Sequence, residues 1–236
     1  MKCKIVASIA TIVISQSILA NKKFDIIKTN IQFDFRTMHL WRGSATSYVP
    51  TFEPTFEVTN NNYTTGIWFA QSIDENYTEL DLYFTYNFRN FSFTIYDYYC
   101  PPSIQASSEF SNYNKYTTNH TLELDLSFNG TQYLPIKILV ATMIYGDDLN
   151  PETNTNFYST YLELGYTAII DKNSVDLFLG LNTFQSYYGE KFGIINAGLT
   201  ASRNLKVNKT LEVPIQASLV TNPMTNSIFI NLGFTL

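Results

Sequence analysis

The chain holds two histidines, His39 and His120, and acyl transfer would need one of them beside a hydroxyl nucleophile. Ser44 and Ser127 are the candidate hydroxyls, and an orienting acid would complete such a site. No compact signature joins these residues, so no catalytic residue is assigned and no enzyme is expected. Neither histidine has the cysteine, histidine or paired-acid spacing of a metal site, so no metal and no cofactor are expected. His39 falls on the apolar phase near the end of its segment and His120 at the start of another, which predicts surface or interfacial histidines. Arg42-Gly43 could hold an anion, or Arg42 could pair with an acid of a neighbouring strand such as Glu53. The pair is the stronger expectation, since enclosed charges form networks.

The more informative chemistry is the placement of carboxylates. In His120–Gly130, "HTLELDLSFNG", Glu123 and Asp125 alternate with Leu122, Leu124, Leu126 and Phe128. A strand points successive side chains to opposite faces, so one face here is apolar and the other polar. The same alternation puts Phe52, Phe56, Leu80, Leu82, Phe84, Leu164, Leu177, Leu179, Ile228, Ile230 and Leu232 on the apolar face. The polar face collects Asp34, Arg36, Arg42, Glu53, Glu57, Glu79, Asp81, Glu123, Asp125, Lys137, Glu163, Asp176 and Glu212, which is ten acids against three bases.

Stepping along the chain, about twelve such segments of nine to fourteen residues recur, and helical spacing is not sustained after residue 24. The first is "NIQFDFRTMHLW" and the last "SIFINLGFTL". Soluble strands favour about five or six residues, whereas a tilted membrane strand needs about nine to eleven. Connections after even-numbered segments are short. The only two long ones, "CPPSIQASSEFSNYNKYTTNH" and "GDDLNPETNTN", both follow odd-numbered segments and so fall on one side. Twelve strands enclose too much volume for one apolar residue in two to fill, so the apolar face is expected to look outward to lipid and the acids inward. The fold predicted is all-β, a transmembrane antiparallel up-and-down barrel of about twelve strands. Tyrosines in "DYY" and "SYYGE", with Trp41, are expected in aromatic girdles at the lipid–water boundaries.

Composition agrees. Aromatic residues reach 16% while charged residues are only 15%, well below the roughly 25% of soluble domains. Lys2 and Lys4 followed by "IVASIATIVISQSILA" predict a signal peptide over residues 1–20, leaving 21–236 as one barrel domain with no linker. Losing those two lysines takes the net charge from −5 to −7, which excludes nucleic acid as a partner. Cys3 lies in the signal and Cys100 is then a lone thiol, so no disulfide framework is expected. Six N-x-S/T sequons, beginning at Asn62 and Asn76, follow from an asparagine-rich composition.

The block from Phe35 to Phe88 resembles the TorF-type porin family in the pair "WRGS", a proline-containing second strand, the Gly-x-Trp strand "TGIWFAQSID" and then "TELDLYFTY", and the aromatic "YDYYCPP" after the block continues the resemblance. The match covers the first five strands. The third is bulkier than the family pattern, and the chain finishes "GFTL" rather than on an aromatic, with Phe234 standing in. The resemblance implies a bacterial outer-membrane location and a channel role.

The resulting expectation is an exported outer-membrane channel for passive diffusion of small polar solutes or ions, biased toward cations. Its pore would be lined by Arg36, Arg42, Glu53, Glu79, Asp81, Glu123, Asp125, Lys137, Glu163 and Asp176. Rings of carboxylates favour cations. Expected partners are outer-membrane lipids, the solutes themselves and the barrel-assembly machinery, which would meet the C-terminal strand. The alternatives are a barrel-anchored adhesin or receptor using loop 99–119, and an outer-membrane hydrolase using one of the histidines.

Overall fold

The structure, a computed structural model, describes residues 27–102 and 109–236. The predicted signal peptide lies outside the described residues, as does part of loop 99–119. In chain order the strands are β1 (Ile27–Arg36), β2 (His39–Trp41), β3 (Ser44–Ser47), β4 (Thr51–Asn60), β5 (Tyr63–Ser72), β6 (Thr78–Phe88) and β7 (Phe91–Tyr99). They continue with β8 (His120–Phe128), β9 (Ile136–Gly146), β10 (Thr160–Ile170), β11 (Asn173–Asn182), β12 (Gly193–Lys206), β13 (Glu212–Asn222) and β14 (Ser227–Thr235). Twelve of them close an antiparallel barrel in which β1 lies between β14 and β4, while β2 and β3 form a separate two-stranded sheet.

Each barrel strand pairs with its chain neighbour through most of its length. β10 and β11, for example, run in unbroken register from Tyr161 opposite Asn182 to Ile170 opposite Asn173. The closing seam is shorter. β1 and β14 share three register pairs, Asp34 with Thr235, Phe35 with Phe234 and Arg36 with Gly233. Reciprocal backbone bonds between Phe33 and Leu236, at 3.0 and 2.9 Å, and one from Thr37 N–H to the Leu232 carbonyl at 2.9 Å extend it.

The barrel has two unlike ends. At one, turns 61–62, 89–90 and 171–172 have two residues each, and Asn61, Arg89 and Asp171 adopt left-handed φ values of 53°, 56° and 55°. That geometry suits the right-handed strand twist. The other end carries the long connections 100–119, 147–159 and 183–192.

The alternation resolves as two surfaces. Outside, Phe56, Phe84, Leu124, Leu164, Leu177, Ile228 and Ile230 all remain exposed, Leu124 at 48% and Ile230 at 65%. Inside, Asp34, Glu53, Asp81, Glu123, Asn182, Asn196 and Asn231 are buried, with Glu123 wholly inaccessible. Polar groups buried at such density must find partners, and the interior is accordingly a hydrogen-bonded one. Interior glycines make room for large neighbours: a Cβ at Gly180 would fall 2.1 Å from the Tyr161 hydroxyl oxygen.

Two boundaries differ most from the sequence expectation. The first barrel strand ends at Arg36, not Trp41. The alternation in "TMHLW" belongs instead to a second hairpin, β2–β3, which leaves the wall. At the far end, β12 continues to Lys206, taking in Arg203 to Lys206, because the partner strand β13 supplies a register partner for each, ending at Lys206 opposite Glu212.

Candidate functional site

The site is the middle of the barrel, and the β2–β3 hairpin fills it. Its turn is Arg42-Gly43, both with positive φ, 47° and 80°. These values mark a type I′ two-residue turn, usually built from Asn or Asp before glycine. An arginine in the left-handed region costs about 1–2 kcal/mol, so its contacts must hold it there. Gly43 has no substitute, since a Cβ would sit 1.9 Å from the Ile195 carbonyl oxygen. That carbonyl belongs to the extra residue of a β-bulge: Leu181 pairs with Ile194 and Gly180 with Asn196, leaving Ile195 unpaired. The bulge turns both Ile195 and Asn196 into the interior, a local re-aiming that bulges commonly provide.

Arg42 reaches across to β8. Its Nη1 and Nη2 donate to the two carboxylate oxygens of Glu123 at 2.6 and 2.7 Å, a bidentate fork that only arginine makes. Nη1 also donates to the Tyr188 hydroxyl. The guanidinium carbon lies 4.7 Å from the ring centres of Trp41 and Tyr161 and 5.6 Å from that of Tyr188. Glu123 accepts a further bond from the Tyr98 hydroxyl at 2.8 Å. The ion pair is therefore enclosed, with side-chain exposures of 8% and 0%. Of the two partners sequence reasoning considered, the wall acid is correct in kind but Glu53 is not the one.

Glu53 is instead held by His39, whose Nδ1 lies 2.9 Å from Oε1, and by the Thr51 hydroxyl at 2.7 Å. The expectation that His39 faces lipid is corrected. Leaving the wall after Arg36 reverses the phase, and the imidazole packs inside on Trp68 and Tyr77 with ring centres 5.3 and 5.1 Å away. Trp41, Tyr98 and Tyr188 also point inward around Arg42, so they are not girdle residues. Met38 and Thr37 tie the base of the hairpin to Asn231 of β14 at 3.4 and 2.9 Å.

The remaining candidate residues distribute along the interior wall. Arg36 pairs with Asp34 at 3.2 Å. Glu79 accepts from the Tyr77 hydroxyl, and Glu163 from the Tyr161 hydroxyl and, at 3.2 Å, from Asn196. Asp81 and Asp125 each keep one buried carboxylate oxygen without a partner. Lys137 and Asp176 stand 3.8 Å apart toward the short-turn end, both largely solvated. Thus Arg42, Glu123 and Glu163 with their tyrosines converge at the hairpin, while Lys137 and Asp176 lie away from it.

Two cavities flank the hairpin. One of about 290 Å³ is bounded by Arg36, His39, Glu53, Glu163 and Asn196 among others, and one of about 240 Å³ opens toward the long loops beside Trp41, Glu79 and Tyr98. Loop carboxylates near the second are perturbed by burial, which pushes Asp147 and Asp148 up. Two hydrogen bonds from Ser159, its backbone N–H at 2.9 Å and its hydroxyl at 2.5 Å, oppose the shift at Asp148.

His120 belongs to neither cavity. It points out of the barrel at the long-loop end, yet it is fully buried, which corrects the expectation of an interfacial histidine. The chain around residues 109–119 folds over it. Nδ1 meets Asp97 at 2.7 Å, Nε2 donates to the Phe110 carbonyl at 2.6 Å, and the rings of Tyr113, Tyr99 and Phe110 lie 4.1–5.2 Å away. Tyr113 also donates to Asp97, and Tyr145 to the Tyr113 carbonyl at 2.7 Å. With one ring nitrogen on Asp97 and the other on the Phe110 carbonyl, His120 clamps the loop to the barrel. Among the described residues no group of three His, Cys, Asp or Glu side chains is placed to hold a metal ion.

No protein-family model matches this chain, and no curated protein sequence matches it. A closed twelve-strand antiparallel barrel fits a porin-like channel fold, and no described helix is long and apolar enough to cross a membrane.

Proposed function

We propose that this barrel spans the bacterial outer membrane and serves as a gated channel for small polar solutes or ions, with an acidic interior that favours cations. The observation that carries the reading is the sorting of the two surfaces: exposed Phe, Leu and Ile predominate outside, carboxylates and amides inside. In water that exterior would be an aggregation hazard. In hydrocarbon it is the surface a membrane strand requires. The short-turn end, where β1 begins and β14 ends, would face the periplasm and the long loops the exterior. The β2–β3 hairpin then stands across the conduit as its gate, and the structure is the closed state. The resemblance of the Phe35–Phe88 block to TorF-type porins supports the same reading.

The purified full chain in planar bilayers should give discrete conductance steps with cation preference. Steps that favour anions, or no steps even after the hairpin is released, would overturn it. The occluding hairpin also favours a second reading, a permanently plugged barrel that anchors an adhesive loop 99–119. In that case Arg42→Ala would leave the bilayer silent, and removing the loop would abolish attachment to a partner.

A further inference from the structure

The cavity of about 240 Å³ on the long-loop side of the hairpin has a lining chemistry that the gate does not explain. Trp41, Tyr77, Tyr98 and Tyr187 border it together with the carboxylates Glu79 and Asp147, and among the described residues no lysine or arginine lines its walls. The guanidinium of Arg42 lies over the Trp41 ring and is paired with Glu123. The described walls come from six separate stretches: the hairpin, residues 77–79, 98–100, 119–121 and 143–147, and the 183–192 connection. Ligand sites are concave and mostly aromatic or apolar, with a few convergent polar groups, and this volume, just below the range of about 300–1,000 Å³ for drug-sized ligands, suits a smaller one.

We infer that this vestibule binds small organic ammonium cations, choline-like or primary amines, at the outer side of the gate. Aromatic faces attract a cation through the ring quadrupole, and they favour one that sheds water easily. A metal ion would ask for several oxygen ligands around one point, which the described residues do not supply. A neutral sugar would leave two carboxylates without a counter-charge. The surroundings agree: burial raises the Asp147 carboxyl with no compensating cation. Desolvation and the neighbouring Asp147 and Glu79 carboxylates are among the causes that push the Tyr187 phenol up. The physiological meaning, capture of a cationic solute before passage, rests on the channel reading, but the binding itself does not.

The test uses the purified full-length protein in detergent micelles. Titration calorimetry compares choline with its uncharged isostere 3,3-dimethylbutan-1-ol. Choline should bind at least about tenfold more tightly, and Asp147→Asn and Tyr187→Leu should each weaken it about three- to tenfold. Neither variant touches the Arg42–Glu123 pair. Cys100, which also borders the chamber, gives an independent readout in a Cys3→Ser background. A cationic thiosulfonate should modify it faster than an anionic one, and choline should slow that reaction. Equal affinity for the two isosteres, faster modification by the anionic reagent, or choline binding that both variants leave unchanged would each overturn the assignment. Choline binding without conductance would refute the channel and leave the site standing. Conductance without choline binding would do the reverse.

Discussion

Replacing Arg42 by alanine removes the group that fixes the hairpin across the barrel, and the consequence can be worked from its contacts. Glu123 would lose both guanidinium bonds and keep the Tyr98 hydroxyl, in a position with no solvent access. Breaking a buried ion pair by deleting one member costs about 3–5 kcal/mol, because the other charge is stranded. The cation–π contacts with Trp41 and Tyr161 add about 0.5–2 kcal/mol. Water entering the vacated space offsets part of this, so a closed state weakened by about 2–4 kcal/mol is a fair expectation. At about 1.4 kcal/mol per factor of ten, the open population should rise by roughly 30- to 1,000-fold. The assay is single-channel recording in planar bilayers, with heat-modifiable electrophoretic mobility as the check that the barrel has formed. The double variant Arg42→Ala/Glu123→Gln should be less open than Arg42→Ala alone, since the stranded charge is gone, and that coupling isolates the pair. A folded Arg42→Ala barrel with wild-type open probability would refute the reasoning.

Gly43→Ala should release the hairpin as strongly as Arg42→Ala, because its Cβ would overlap the Ile195 carbonyl; accelerated modification of a cysteine placed at Thr46 would report it. His120→Ala should leave barrel mobility unchanged but free the chain around residues 109–119, seen as at least tenfold faster nicking there by an added protease. Leu124→Arg, placing a charge on the outer face, should destabilise the barrel in lipid vesicles by about 2–4 kcal/mol in urea unfolding, whereas Leu124→Ile should be near neutral. Asp81→Asn with Asp125→Asn should lower the cation-to-anion permeability ratio severalfold without reducing conductance, because both carboxylates look into the interior with an unpartnered oxygen.

Much of the wall was legible in the sequence because a long barrel strand announces itself through period two over nine or more residues. "TELDLYFTY" and "HTLELDLSF" fix both the strand and its facing, so the inward placement of Glu79, Asp81, Glu123 and Asp125 follows directly. The hairpin was not legible. In "TMHLW" the alternation of β1 slips by one residue after Arg36, with Met38 and Leu40 on the phase that β1 gives to polar residues, but the slipped stretch is short, and "RG" is an uncommon pair for a type I′ turn, where Asn-Gly or Asp-Gly is the usual signal. Where the segment goes has no local trace, since its docking partners, Glu123, Tyr161 and Ile195, are scattered over three distant strands. The bulge at Ile195 that receives Gly43 is equally silent in "FGIINAGLT". His120 fails for a related reason. Its phase correctly points outward, but burial comes from a loop folding back over it, a tertiary event with no periodic trace.

The claim on which the rest depends is that the outer face of these strands meets hydrocarbon. Single cysteines at Leu124 and Leu179, spin-labelled in protein reconstituted into lipid vesicles, test it most directly through collision with molecular oxygen and with a water-soluble nickel chelate. Both labels should relax strongly with oxygen and little with nickel, while a label at Ser127, on the opposite face of β8, should not share that pattern. Labels at 124 and 179 that meet the nickel complex and are shielded from oxygen would contradict the membrane orientation, and with it the channel.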